Sequence, residues 1–298
     1  MNDNEIFSGY HNLLFSIAYN MLGIVEDAED MVQDAFLKWR AISNDEVKSP
    51  KAYLVKTVTN LSINYLRSAK KMRENYVGLW LPQPLMKERI IDSSKSMDLY
   101  YSLSIGMMVL LEKLSPPERA VFLLKEVFSY EYAEISEIIE KEEDNCRQIF
   151  ARAKKHLGGR EKRFEVDIQV HSKMLRQFLN AANSGDMNGL IGLLMDDIEL
   201  VADGGGKSFS FGKQKFSATR KPILGPNDVA KFVLNVTKKI NDYVPDLSMK
   251  IIYANGIPSL VAYSGEKALC ILCLEVTGDK ISNIYLHTNP DKIKTIYD

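Results

Sequence analysis

"LSPPERAVFLLKEVFSYEYAEISEIIEKEEDNCRQIFARAKKHL" (residues 114–157) carries the pattern on which the fold turns. Ser115, Pro116 and Glu118 have the spacing of a capping box, with proline at the first helical position and the glutamate reaching back. A short helix follows over about 131–140, with Ala133, Ile135, Ile138 and Ile139 apolar, and then a tight turn. In the next helix Cys146, Ile149, Phe150, Ala153 and Leu157 form one apolar stripe. Arg147, Gln148, Arg152 and Lys155 lie on the opposite face. A short helix, a turn and an amphipathic helix with Arg and Gln outward read as a helix-turn-helix. Arg suits guanine and Gln suits adenine in the major groove. A plain helical hairpin with a solvated basic face has the same periodicity. Residues 131–144 hold seven acids and one lysine, so only the last helix can approach phosphate.

Toward the N-terminus the chain also reads as helices. Tyr10, Leu14, Ile17 and Met21 fall at helical spacing, as do Ala28, Val32, Ala35 and Trp39, and then Leu54, Val58, Leu61 and Tyr65. Gly23 and the run SNDEVKSP (43–50) separate them. The stretch 48–73 contains seven Lys/Arg and no acid, interleaved with Tyr53, Thr57, Asn60 and Asn64. Such a run is a solvated face or a nucleic-acid reader that combines phosphate anchors with base-bonding groups. Toward the C-terminus, Gly158-Gly159 stops the helix and the texture changes. Two helices split by NSGD lead to strand-like runs IELVAD, SMKIIYA, PSLVAYS, ALCILCLEV and ISNIYLHT, with a helix at about 227–242 between them. Helices followed by a long antiparallel meander predict an α+β domain.

Between the two basic helices lies "YVGLWLPQPL" (76–85), apolar and stiffened by Pro82 and Pro84 inside an otherwise polar linker. An apolar segment of this kind is expected to be buried against something, with Trp80 and the leucines as anchors. The expected partner is the C-terminal domain; packing on either helical domain is the other reading.

Bulk properties set the class. The 298 residues carry a net charge of −1, and 46% apolar with 26% charged is ordinary globular composition with room for two or three domains. Cys146, Cys270 and Cys273 make no disulfide framework, which suits a reducing compartment. MNDNEIF has neither the basic nor the apolar region of an export signal, and no run reaches the ~20 apolar residues of a membrane helix, so a cytoplasmic protein without membrane contact is expected.

With these parts in order, the chain resembles the extracytoplasmic-function (ECF) sigma factors of bacterial RNA polymerase. DAEDMVQDAFLKW (27–39) is similar to their region 2 and residues 114–157 to their region 4. YVGLWLPQPL, DGGGK (203–207) and NPDKI (289–293) together resemble the subgroup with a C-terminal SnoaL-like extension. The resemblance implies a multidomain chain of two all-α sigma domains followed by an α+β cone (SnoaL-like, cystatin-like). It implies region 2 at 1–72, a linker at 73–105, region 4 at 106–160 and the extension at 161–298. It implies a non-enzymatic initiation factor whose partners are the β′ clamp and β subunits of core polymerase and promoter DNA. Glu29, Asp30, Gln33, Asp34 and Trp39 are implied to grip core polymerase. Lys48, Ser49, Tyr53, Lys56 and Asn60 are implied to read the −10 element, and Arg147, Gln148, Arg152 and Lys155 the −35 element. Trp80, Leu81, Pro82, Asp203, Lys207, Asn289 and Asp291 are implied to regulate from the linker and extension, with no separate anti-sigma protein required. Glu140 stands where the family usually has glycine in the turn, and Glu142 follows where a Ser or Thr commonly caps the recognition helix.

Catalytic alternatives are thin. CILC (270–273) puts its cysteines on opposite faces of a strand. GGGKS (204–208) lacks the earlier glycine of a phosphate loop. Asp203, Tyr285 and His287 are loose acid–base candidates that no spacing ties together. No catalytic set, metal or cofactor is expected. The alternative function is a DNA-binding regulator whose C-terminal domain senses a small ligand or acts like a cyclase or isomerase.

Overall fold

The computed structural model describes residues 3–42, 49–74, 76–86, 103–159 and 167–293. The chain forms two compact units: Met1–Glu74 with Ile91–Leu103 and Met107–Glu161, and Asn75–Ile90 with Ser104–Gly106 and Lys162–Asp298.

In the first unit, helices α1 (Asp3–Leu22), α2 (Val25–Arg40) and α3 (Pro50–Glu74) pack together. Leu14, Ile17, Met21, Ala28, Val32, Ala35, Leu54 and Val58 form their buried interior. Gly23 takes φ 74, a left-handed conformation open to a residue without Cβ, and so ends α1 one residue before the chain reverses into α2. Helices α4 (Ile105–Leu111), α5 (Pro116–Phe122), α6 (Tyr132–Ile139) and α7 (Glu143–Leu157) follow, and α5 runs on as a π-helical turn over Leu123–Val127. The expected capping box is present: the Ser115 backbone N–H donates to Glu118 at 3.0 Å and its hydroxyl at 2.7 Å. Arg119 on α5 is buried and donates from Nη1 to the Met21 carbonyl and to Glu112, each at 2.7 Å. A buried guanidinium persists only when so paired, and here it ties α5 to the end of α1.

The second unit is α+β. Helices α8 (Ile168–Ser184) and α9 (Met187–Leu193) start at Asp167 and Asp186, whose carboxylates accept the free N–H groups of the first turn. Then come β1 (Leu194–Asp203), a hairpin of β2 (Ser208–Phe211) and β3 (Gln214–Ser217), β4 (Ile223–Leu224), α10 (Pro226–Tyr243), β5 (Leu247–Ala254), β6 (Ile257–Ser264), β7 (Lys267–Thr277) and β8 (Lys280–His287). The six-stranded sheet has the order β4-β1-β8-β7-β6-β5. Strands β5 to β8 are the expected antiparallel meander, but β1 pairs with β8 in parallel. The β2–β3 hairpin was not expected, because strands of four residues, SFSF and QKFS, fall below the length at which periodicity speaks.

Strand alternation sorts this sheet into two faces. Leu200, Leu260, Leu274 and Ile284 pack under Leu175, Phe178, Leu190, Val229 and Val233 of the helices. The opposite face carries Asp203, Cys273, Glu275, Tyr285 and His287, by register Asp203↔His287, Cys273↔Tyr285 and Ile271↔His287. Cys270 faces away from Cys273, as expected of residues three apart on β7. Among the described residues no helix is long and apolar enough to cross a membrane.

Candidate functional site

Helix α7 is amphipathic as read: Cys146, Ile149, Ala153 and Leu157 are buried, while Arg147, Gln148, Arg152 and Lys155 are exposed. The Arg147 guanidinium lies 4.5 Å from the centre of the Tyr132 ring and pairs with Glu143 one turn back. That arrangement holds an otherwise floppy arginine against an aromatic face. Arg152 Nε is 3.9 Å from Glu118. Glu140 takes φ 54 and ψ 53, the left-handed geometry of a helix stop, at the position where glycine is the usual occupant. Glu142 is the N-cap of α7, and its side chain makes no capping bond.

On α2, Asp30, Gln33 and Asp34 are exposed, with Leu37 beside them at 63% exposure. Glu29 accepts from His11 Nε2 at 3.1 Å. Trp39 corrects the sequence reading: it is 3% exposed and packs against the Tyr53 ring at 5.7 Å, so it supports the α2–α3 contact and offers no surface to a partner. Lys48 lies outside the described residues. Ser49 precedes α3, and its hydroxyl accepts from the Ala52 N–H at 3.3 Å. Lys56 Nζ is 2.8 Å from Glu140, and Asn60 Nδ2 donates to the Ile138 carbonyl at 2.7 Å. Two of the residues expected at the −10 element are thus engaged by the end of α6 and the turn that follows it. Lys56 holds the Glu140 carboxyl below the usual carboxylate range through its hydrogen bond and charge. Tyr53, Lys56, Tyr130, Glu134, Glu137 and Glu140 line an open cleft where α3 meets this turn.

Within the second unit, residues 76–86 lie on the sheet face that the helices leave open. Asp203 is fully buried and accepts four hydrogen bonds. Tyr76 Oη (2.5 Å) and the Gly205 N–H (3.0 Å) donate to one oxygen. The Leu81 N–H (2.9 Å) and Lys292 Nζ (2.7 Å) donate to the other. Lys292 also donates to the Leu81 carbonyl at 2.6 Å and lies 4.4 Å from the Trp80 ring centre and 5.0 Å from that of Tyr76. Asn289 Nδ2 donates to Tyr76 Oη at 2.9 Å, and Lys207 pairs with Asp291 on the surface. Burial, ahead of the bond to Asp203, pushes the Tyr76 hydroxyl well above its ordinary pKa. A Cβ on Gly205 would sit 2.5 Å from Asn289 Nδ2, and one on Gly206 2.9 Å from Val77 Cβ, which is why this turn is glycine. Further along, Leu85 and Asn255 exchange two bonds: the Leu85 N–H to Asn255 Oδ1 at 2.9 Å and the Asn255 N–H to the Leu85 carbonyl at 2.8 Å. Leu81, Pro82, Gln83 and Pro84 are buried, whereas Trp80 is only partly so. The anchor is therefore Leu81, and Trp80 roofs the lysine.

Two family models match: Sigma-70 region 2 over residues 6–72 and Sigma-70, region 4 over 106–157. "ECF RNA polymerase sigma factor SigJ" of Mycobacterium tuberculosis is 28% identical over 300 residues, covering 96% of this chain and 91% of that one. The chain belongs to the ECF sigma-factor family. The sigma factor SigW of Bacillus subtilis is 29% identical over 147 residues, covering 45% of this chain and 75% of that one. The crystal structure of the M. tuberculosis SigJ protein shares the fold, with TM-score 0.75 and 24% identity over 97% of each chain. Region 2 of this sigma factor is the α1–α3 bundle, and region 4 is the helical set ending in α7. Its C-terminal part is the α+β domain expected of the SnoaL-like extension.

Several residues of this sigma factor's linker site escaped the sequence reading. NPDKI was expected to act through Asn289 and Asp291, yet Lys292 makes the buried contacts. Tyr76 heads the apolar linker run, and nothing in the sequence assigns it a role. Its only signal there is an aromatic hydroxyl, which says nothing about its partner 127 residues away. At the far end of the linker, Glu275 accepts from the Gly106 N–H at 2.9 Å and from the Ser104 side chain, and burial raises its pKa to about 7. Asp203, Tyr285 and His287, untied by spacing, do share one sheet face, all under 4% exposed. Four donors saturate Asp203, and burial lowers the His287 pKa to about 3. A saturated carboxylate and an imidazole held neutral in an enclosed face are not an acid–base pair open to substrate. As a family of initiation factors, ECF sigma factors are not enzymes.

Proposed function

We propose that this sigma factor joins core RNA polymerase through the exposed side of α2 and directs promoter-specific initiation, acting in the cytoplasm. Asp30, Gln33 and Asp34, with Leu37 among them, form the polymerase-facing stripe toward the β′ clamp, and Glu29 is steadied there by His11. Arg147, Gln148, Arg152 and Lys155 contact the −35 element. Ser49, Tyr53, Lys56 and Asn60 contact the −10 element. The observation that carries this reading is a recognition helix with four exposed donors, in a chain whose first bundle matches sigma-70 region 2.

The linker contacts support a regulatory role for the C-terminal domain. Residues 76–86 and 104–106 are held by the same sheet, so the chain joining region 2 to region 4 is anchored at both described ends. Fixing a tether sets the effective concentration of one DNA-reading domain relative to the other. Trp80, Leu81, Pro82, Asp203, Lys207, Asn289 and Asp291 act through this anchorage, and no separate anti-sigma protein is needed for it. On this reading Asn60, whose two amide hydrogens go to the Lys56 and Ile138 carbonyls, leaves Ile138 to donate to a base, and Lys56 turns from Glu140 toward the DNA.

Run-off transcription from a genomic template library with core polymerase of a matching bacterium tests the function. Specific start sites are expected only when the protein is added, and their absence would sink the reading. Arg147→Ala should cost about 1–3 kcal/mol of discrimination at one −35 position. Unchanged −35 preference in footprinting would mean that another face reads the DNA.

A further inference from the structure

Between Asp203 and Asp228 the chain has no acidic residue and carries Lys207, Lys213, Lys215, Arg220 and Lys221. This stretch contains the β2–β3 hairpin, and the hairpin has two unlike faces. Phe209, Phe211 and Phe216 point inward, with Phe209 stacked on Phe216 at 5.0 Å, and pack with Val236, Ile240, Val244, Leu247 and Leu269. The outward positions, by the pairings Ser208↔Ser217 and Ser210↔Lys215, are three serines and a lysine, all exposed. Gly212 at φ 56 and Lys213 make the two-residue turn, and Arg220 and Lys221 come after β3, beyond Ala218 and Thr219. Lys213, Lys215, Arg220 and Lys221 are exposed, and among the described residues none of them is in an ion pair. Lys207 is the exception, neutralised by Asp291.

Two unneutralised cations on the hairpin, Lys213 and Lys215, and two in the segment after it, Arg220 and Lys221, with hydroxyl donors on a face fixed from behind by an aromatic cluster, make a surface complementary to a row of phosphates. We propose that the outward face of this hairpin binds the phosphate backbone of duplex DNA without reading its sequence, adding a third DNA contact to those of regions 2 and 4. Arg and Lys supply charge and the serine hydroxyls supply neutral donors. Roughly half or more of the hydrogen bonds that such side chains make to DNA go to phosphate and sugar, which carry no sequence information. The contact rests on the sigma-factor reading and extends it to the C-terminal domain.

The test compares holoenzyme made with the wild-type chain and with the quadruple variant Lys213→Ala/Lys215→Ala/Arg220→Ala/Lys221→Ala, binding a promoter fragment across a range of salt concentrations. Every phosphate that a cation no longer neutralises lowers the slope of log affinity against log salt by about 0.9. A slope smaller by roughly 2–4 is expected, with equal weakening on promoters of altered −35 sequence. Ser210→Asp, which adds one negative charge to the same face, should weaken binding in the same direction. The melting curve of the quadruple variant, whose substitutions leave the phenylalanine cluster intact, checks folding. An unchanged slope with wild-type holoenzyme bound normally overturns the hairpin proposal alone. Loss of core-polymerase binding with the DNA slope unchanged overturns it in favour of a protein-docking surface. Failure of wild-type holoenzyme to form any promoter-specific complex strikes the underlying sigma-factor reading instead.

Discussion

Two lysine–carboxylate pairs in this molecule have the same chemistry and opposite circumstances. Lys56–Glu140 joins α3 to the helix-turn-helix with side chains 42% and 69% exposed. Lys292–Asp203 holds the linker to the C-terminal sheet at 7% and 0%. Water and salt screen the first pair, so it contributes little to stability and can be traded for another anion such as a phosphate. The second is enclosed with Tyr76, Leu81 and Gly205, and removing one member strands a charge away from water. Exchangeable contact in one unit and committed contact in the other are set by burial alone.

The sharpest way to break the contrast is Asp203→Ala. It leaves Lys292 buried without its carboxylate and should destabilise the C-terminal unit by about 3–5 kcal/mol. Denaturant melts would show it, with faster hydrogen exchange over 76–86. A variant as stable as wild type would mean that the buried pair is as dispensable as the exposed one.

Next in size is a pH effect at the other linker contact. The Glu275 pKa is raised from 4.5 to about 7, chiefly by burial, so the folded state favours the protonated acid. Stability from this group is complete below pH ~4.5 and is lost as pH rises toward 7, by on the order of 3 kcal/mol in all. Glu275→Gln should flatten that part of the stability–pH curve. A slope unchanged by the substitution would assign the titration to another group.

Leu81 and Trp80 separate anchoring from roofing. Leu81→Ala should cost about 2–5 kcal/mol, as for a fully buried leucine. Trp80→Ala should cost less, about 1 kcal/mol, mainly from its contact with the lysine. The reverse order in thermal melts would restore Trp80 as the anchor.

The smallest stability effect belongs to the exposed pair. Glu140→Gly removes the carboxylate and relaxes the left-handed turn, so the melting temperature should hold or rise slightly. Binding of a single-stranded −10 oligonucleotide to the full chain should improve several-fold as Lys56 is released. No change would show that Glu140 does not compete with DNA.

Much of the architecture was legible from local pattern. Helical spacing gave α1 to α3 and α6–α7, the Ser115–Glu118 box marked the start of α5, and turn residues between apolar runs gave β5 to β8. The outward identities of Arg147, Gln148, Arg152 and Lys155 followed from the apolar stripe behind them. Each of these signals lies within a few residues of its consequence. Trp39 shares the helical spacing of Ala28, Val32 and Ala35, which are all buried, and it is the resemblance, not that periodicity, that pointed it toward a partner.

The amino-acid sequence by itself determined the element types, the basic and acidic stretches, and the peculiarity of an apolar Pro-bearing segment inside a polar linker. Only the tertiary structure decided what that segment meets. Tyr76 reaches Asp203 across 127 residues, and Lys292 reaches Leu81 across 211. The parallel pairing of β1 with β8 sets Asp203 opposite His287, and that register is settled by packing of the whole sheet. Local propensity fixes dihedral angles, but the partners of a buried charge depend on which distant chain happens to close over it.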